Sequence, residues 1–289
     1  MSSVAAAPQR SEASVARRER TRLLLRSPSF LIGATVILFW VFCAVLGKRI
    51  APYDPIFDQT SSLGAAPSWA HPFGTDRLGR DVLSRVLAGS RDILLIAPAA
   101  VVLATFFGTT LGLITGYFRG IADDTISRVI DAVLAIPLIV LAVTVVSSLG
   151  SRSSWAVAVV IAIVFSPIIA RTVRAAVLGE ARLDYVEAAR LRGENSLFVM
   201  FQEVLPNVMP PILVEATIRL GYAIFAVATL TFIGFGLQPP TPDWAVQIAD
   251  NYNLLADQWW TVLFPALAIA SLVVAVNLVS DSVQQVLER

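Results

Sequence analysis

Six apolar runs without a single Asp, Glu, Lys or Arg divide this chain: Phe30–Leu46, Ile93–Tyr117, Ala132–Leu149, Trp155–Ala170, Leu220–Leu237 and Trp259–Ser280. Each is close to the ~17 to 25 residues that a helix needs to cross about 30 Å of hydrocarbon. None alternates as barrel strands do, so backbone polar groups in lipid must be satisfied within helices. The runs therefore predict an all-α membrane protein with six transmembrane helices. Composition agrees: 15% of residues are charged, against about 25% in an ordinary soluble domain. Trp155, Trp259 and Trp260 stand at run ends, where amphipathic rings favour the membrane interface.

The first run competes with a signal peptide, since arginines precede it. It is longer than a signal core of about 7 to 15 residues and is followed by Lys48 and Arg49 rather than by a small-residue cleavage site. It reads as an anchor helix. Arginine placement orients the rest. The tail (Arg10, Arg17, Arg18, Arg20, Arg22, Arg26), the second loop (Arg119, Arg128) and the loop containing Arg171, Arg174, Arg182, Arg190, Arg192 and Arg219 share one side. Both termini and the Leu183 region are accordingly placed in the cytoplasm of a cell bounded by this membrane. The first outer loop, with Lys48, Arg49, Arg77, Arg80, Arg85 and Arg91, is the exception; long segments weaken the rule.

Several function classes lack their residues. His71 is the only histidine and Cys43 the only cysteine, neither has an evident partner in sequence, and no metal or catalytic cluster is expected. Lys48, the only lysine, lies in Gly47-Lys48-Arg49, where no Walker A loop exists to bind phosphates. Any ATP used must be hydrolysed by another chain. The net charge of +1 gives no reason to expect a nucleic-acid partner. Ion-coupled carriers usually bury ionisable groups in their spans, and the six runs hold none. Asn277 is the main polar candidate inside a run, for pathway lining or for an interhelical hydrogen bond. Met1–Gln9 reads as a disordered tail.

Against this background "LDYVEAARLRGEN", Leu183 to Asn195, is polar and helix-forming. Asp184 is the expected N-cap with Glu187 three positions on, a variant capping box. Tyr185, Ala188, Ala189 and Arg192 follow at helical spacing, and Gly193 suits a left-handed C′ position. Asn195 or Ser196 then starts a second helix, Leu197–Val204, which Pro206 is expected to end. The paired alanines form a slim face for close approach to another protein's groove, and Glu187, Arg190 and Arg192 set register electrostatically; a merely solvated loop helix fits the residues as well. On the outer side, Val82, Leu83, Val86 and Leu87 share a helical face opposite Arg85, as in an interfacial helix leading into the second span. Gln238–Pro242 resists helix, and Asp243 is placed to cap Trp244–Ile248. Pro98, Pro137, Pro167 and Pro265, in or beside runs, mark expected kinks.

"EAARLRG" at Glu187–Gly193, followed after nine residues by Glu203-Val204-Leu205-Pro206-Asn207, resembles the EAA loop of ABC importer permeases, whose coupling helix docks on the ATPase. "HPFGTDRLGRDVLSRVLAGSRDILLI" (His71–Ile96), "GYFRGIADDTISRVIDAVLAIP" (Gly116–Pro137) and "TFIGFGLQPPTPDWAVQI" (Thr231–Ile248) are similar to the oligopeptide, dipeptide and nickel branch. The anchor helix and the Pro52-Tyr53-Asp54-Pro55 turn resemble its C-type subunit. One departure is Glu203, where that branch usually carries His.

The resemblance implies the type I importer permease fold: a tail at 1–28, an anchor helix with an extracytoplasmic segment at 29–92, and a five-helix core at 93–289 with its EAA loop at 171–207. It implies an inner-membrane permease without catalysis of its own, working with a B-type permease, two ATPases or one fused ATPase that bind ATP and Mg, and an extracytoplasmic binding protein. Peptide is the implied substrate, with nickel or another small solute as the alternative. The implied coupling residues are Asp184, Tyr185, Glu187, Ala188, Ala189, Arg192, Gly193, Glu203 and Pro206. Those at the outer gate or binding-protein contact are Arg80, Asp81, Pro239, Pro240, Asp243 and Trp244. On the residues alone, an ion-coupled carrier and a membrane scaffold with a docking helix remain the other classes.

Overall fold

The computed structural model describes residues 22–58, 60, 62–149 and 153–287. The expected disordered tail Met1–Gln9, the arginines at 10, 17, 18 and 20, and Arg152 lie outside them. Helices make up the described architecture: α1 Pro28–Ile50, α2 Val82–Phe118, α3 Ile121–Leu134, α4 Leu138–Leu149, α5 Ser154–Glu180, α6 Asp184–Leu191, α7 Leu205–Phe232, α8 Trp244–Asn251 and α9 Trp260–Leu287. Five described helical segments are long and apolar enough to cross a membrane, and the bent α3–α4 pair makes a sixth crossing when counted as one.

That pair corrects the single span expected over Ala132–Leu149. The chain turns by 98° between α3 and α4, at Pro137, which has no N–H to continue the ladder and disfavours helical angles at the residue before it. A second correction concerns the outer approach to α2. No separate interfacial helix precedes the span. Asp81 caps a continuous helix of 37 residues, about 55 Å long at 1.5 Å per residue, so α2 projects well beyond a ~30 Å core. The boundary at 92/93 falls inside this helix, since no breaker separates its first turns from the apolar run. Pro98, Pro167 and Pro265 are all accommodated inside helices.

The centre of the fold is the pairing of α2 with α5, the most extensive helix contact. Gly108, Gly112 and Gly116 recur every four residues along α2 and lie against Ile169, Val173 and Val177 of α5. A Cβ on Gly112 would sit 2.6 Å from the Cβ of Val173, so only glycine permits this approach. Between lipid-solvated helices such close packing replaces the hydrophobic driving force available in water. Helix α1 is held to α9 by Trp40, whose Nε1 donates to Ser271 Oγ at 2.9 Å, and by Gly33 against the backbone of Ala275.

Candidate functional site: the coupling helix and the outer cap

Helix α6 lies in the segment joining α5 to α7. Leu183 has extended angles and takes the N-cap position, while Asp184 is already helical, and no side chain caps this end. The expected capping box is therefore not formed. Asp184 and Glu187 instead occupy the first turn, where negative charge favours the positive end of the helix dipole. The C-terminal stop forms as expected. Gly193 has φ +78°, its N–H donates to Arg190 O at 3.0 Å, and the Glu194 N–H reaches back to Ala189 O at 3.3 Å. These two bonds are a Schellman motif.

The two alanines do not share a face. Ala189 is fully buried with Val186, one turn apart on the side facing the chain's own helices, while Ala188 is exposed with Glu187 and Arg192. The reason is helical geometry, since adjacent residues diverge by about 100°. Around the outward face, Leu191 is 83% exposed, and Leu183, Leu197, Phe198 and Phe201 are also bare. An exposed apolar patch of this kind marks a contact surface, for another protein or for the membrane.

Tyr185 ties the helix to both neighbouring spans. Its hydroxyl donates to Glu180 Oε1 at the end of α5 (2.6 Å) and accepts from Asn207 Nδ2 at the start of α7 (2.9 Å). Burial, and then the Glu180 carboxylate, push this phenol up to about 12, so it remains a donor throughout the physiological range. Arg190 is also engaged within the chain, donating from Nε to Tyr117 Oη at 3.3 Å with its guanidinium over the Tyr117 ring. Arg192 pairs with Glu194 at 2.7 Å and approaches Glu203 at 3.6 Å. Glu203 thus faces the arginine at the C-cap of α6, in the position where the resembling branch usually carries His. Glu180 and Tyr117, which sequence reasoning did not single out, complete the anchor; adjoining helix ends rich in polar residues were the available signal.

The short helix after Gly193 does not stop at Pro206. Ser196–Phe198 leads into a π-helical turn, Val199–Val204, which runs on into α7 with Pro206 in its first turn. The wider π turn shifts bonding so that Leu205 N reaches Met200 O, which removes the demand for a proline N–H in the normal register. Val199, Met200 and Val204 are buried and this turn packs against α6.

On the outer side, the residues expected at a gate or contact separate into buried and exposed sets. Asp81 accepts from Ser84 N (2.8 Å) and Oγ (2.7 Å) and pairs with His71 Nδ1 at 2.9 Å. His71, for which the sequence offered no partner, therefore has one, and its ring lies 4.7 Å from that of Tyr53. Arg80 is buried against Asp76 at 2.6 Å, with Asp250 of α8 at 3.6 Å. Arg85, expected on an exposed face, is 1% exposed; its Nη1 and Nη2 donate to the carbonyls of Pro55 (2.9 Å) and Thr241 (3.2 Å), and its Nε is buried without a partner. Asp243 caps α8 through Ala245 N and Val246 N, as expected. Trp244 is fully buried, donating to Val86 O at 2.7 Å and meeting Trp40 edge-on at 4.6 Å. Arg80, Asp81, Asp243 and Trp244 therefore weld two outer segments to α2 and offer no surface, whereas Pro239 and Pro240 are exposed. Asn277, expected to be buried, is exposed on α9, with its Oδ1 facing Gly221 of α7.

Residues 108–289 match the family of binding-protein-dependent transport system inner membrane components. This chain belongs to that family. Among the relatives of this inner membrane component is the di/tripeptide transport system permease protein DppC of Pseudomonas aeruginosa, 41% identical over 89% of this chain and 86% of that protein. The dipeptide transport system permease protein DppC of Haemophilus influenzae is 38% identical, covering 89% of each. The probable D,D-dipeptide transport system permease protein DdpC of Escherichia coli is 36% identical over 92% and 89%. Among solved structures, an inward-facing MetNI methionine ABC transporter chain superposes with a TM-score of 0.58 at 20% identity, covering 71% of this chain and 97% of that one. The last comparison supports the importer permease fold. The inner membrane component is thus a multi-pass ABC permease subunit whose family works with a binding protein and an ATPase.

Proposed function

We propose that this chain is the C-type permease of an ATP-driven peptide importer, forming half of the pathway beside a homologous B-type permease. Two ATPase subunits, or one fused ATPase, bind ATP and Mg and seat against α6, and an extracytoplasmic binding protein delivers the peptide to the opposite side. Both termini and α6 face the cytoplasm of the bacterial inner membrane. Relatives named for dipeptide and di/tripeptide transport along most of their length support the substrate class.

The observation that carries the coupling role is the construction of α6. Its inward face is buried and Tyr185 ties it to α5 and α7, while its outward face of Glu187, Ala188 and Leu191 is bare. A rod so anchored passes displacement to the spans as rigid bodies, whereas a floppy loop would absorb it. ATP favours one transport state only through contacts that differ between states, and the bare face of α6 supplies them.

Purification of the tagged chain is expected to co-isolate a homologous permease and a soluble ATPase. Glu187→Arg is expected to abolish ATP-driven peptide uptake while the protein still inserts and assembles with its partner permease. Uptake at the wild-type rate in that variant, or transport by this chain alone in liposomes, refutes the reading.

A further inference from the structure

The continuous helix that includes α7 holds two ionisable residues that the apolar runs did not reveal. Glu215 and Arg219 lie one turn apart, 2.5 Å from each other, with side chains only 12% and 19% exposed. The sequence places Arg219 in a cytoplasmic loop, but the helix continues past it to Phe232. It stands thirteen residues from that end, about 20 Å along the axis, within the segment long and apolar enough to span. Charges at such depth are costly to retain and mark substrate or ion pathways.

The guanidinium lies 5.4 Å from the Tyr222 ring and borders a cavity of about 420 Å³ shared with Pro137, Phe165, Phe225 and Thr229. That volume is within the ~300 to 1,000 Å³ of small-molecule sites. Arg219 is the only charged residue in its lining. One oxygen of Glu215 takes both Nε and Nη2, which leaves the Nη1 donors for a second carboxylate. We propose that Arg219, held in place by Glu215, receives the C-terminal carboxylate of the peptide as it passes this chain. The inference rests on the peptide reading above.

The chemistry suits transit. A planar guanidinium matches a carboxylate in geometry and charge, and the resident Glu215 moderates the attraction, so the visiting group is held but released. Conduction needs this balance between entering and leaving.

The test uses the assembled transporter in proteoliposomes with its binding protein and ATP, and a tripeptide carrying a benzophenone on its C-terminal residue with a free carboxylate. The wild type is expected to take up the peptide and, on illumination, to cross-link within residues 215–230. Arg219→Gln is expected to reduce both signals by about tenfold or more, the scale of a lost charge-assisted hydrogen bond. Arg219→Lys should retain an intermediate level of both signals. Uptake by the wild type with cross-links elsewhere, or cross-links unaffected by Arg219→Gln, overturns the inference and leaves the peptide reading standing. A fall in uptake matched by falls in ATPase and thermal stability, with cross-linking intact, assigns Arg219 to lipid anchoring and overturns it too. A wild-type complex that takes up no peptide removes the substrate reading first, and this inference with it.

Discussion

Replacing Gly193 isolates the stop of α6 from every other feature of the chain. Its φ of +78° is a left-handed conformation, and an added Cβ would meet nothing within 4 Å. Alanine therefore brings no clash, and its cost is that of the backbone alone, roughly 1–2 kcal/mol for an L residue in this region. That energy corresponds to a factor of about 5–30 in a local folding equilibrium. The affected bonds are the Arg192, Gly193 and Glu194 amides to Ala188, Arg190 and Ala189. Hydrogen exchange at those amides is expected to speed up by about this factor in Gly193→Ala. Asparagine, which tolerates the left-handed region, should fall between glycine and alanine. Proline should be worst, because it fixes φ near −65° and also deletes an N–H. Peptide uptake per ATP hydrolysed should fall in the same order if α6 transmits the stroke. Alanine exchanging at the wild-type rate, or asparagine proving worse than alanine, refutes the backbone argument. Faster exchange with unchanged coupling refutes the transmission argument.

Two further outcomes follow from packing and charge. Gly112→Ala places a methyl against Val173 and the Ala170 carbonyl and is expected to cost about 1–3 kcal/mol, read as a lowered unfolding midpoint. Gly179→Ala, with open space around its Cβ, is the control and should not lower it. Burial, with the nearby Asp92 charge adding and the Val246 and Ala245 N–H bonds opposing, pushes the Asp243 carboxyl from an ordinary 3.8 up to about 7. The folded chain thus holds a proton there that the unfolded chain has lost. This contribution is fully present below about pH 4 and disappears as pH rises through about 7, at up to about 1.4 kcal/mol per pH unit. Asp243→Asn keeps a capping side chain, so its midpoint should vary less between about pH 5 and pH 7 than that of the wild type. Equal pH dependence in the two proteins counts against a protonated Asp243.

Much of this molecule was legible in one dimension, because lipid imposes a rule that reads directly off the chain: long charge-free runs become helices. The α6 stop was equally local, since only Gly193 in that segment adopts a left-handed angle without strain. The Asp243 cap needed nothing but its own neighbours. Misreadings arose where distant segments decided the outcome. Arg85 looked solvent-facing by helical periodicity, yet Pro55 and Thr241, 30 and 156 residues away, supply the carbonyls that allow its burial. His71 looked idle until Asp81 was folded beside it. Pro206 looked like a stop until a π turn removed the need for its N–H.

The sequence by itself determined the class, the number of crossings to within the bent pair, and the position of a polar rod between two spans, because each depends on the solvent or on residues a few positions apart. Only the tertiary structure decided which face of that rod is bare, how Tyr185 joins Glu180 to Asn207, and that Glu215 and Arg219 lie within a helix and beside a cavity. Those outcomes are set by which helices pack together, and hence by close approaches such as Gly112 on Val173, which hydropathy does not encode.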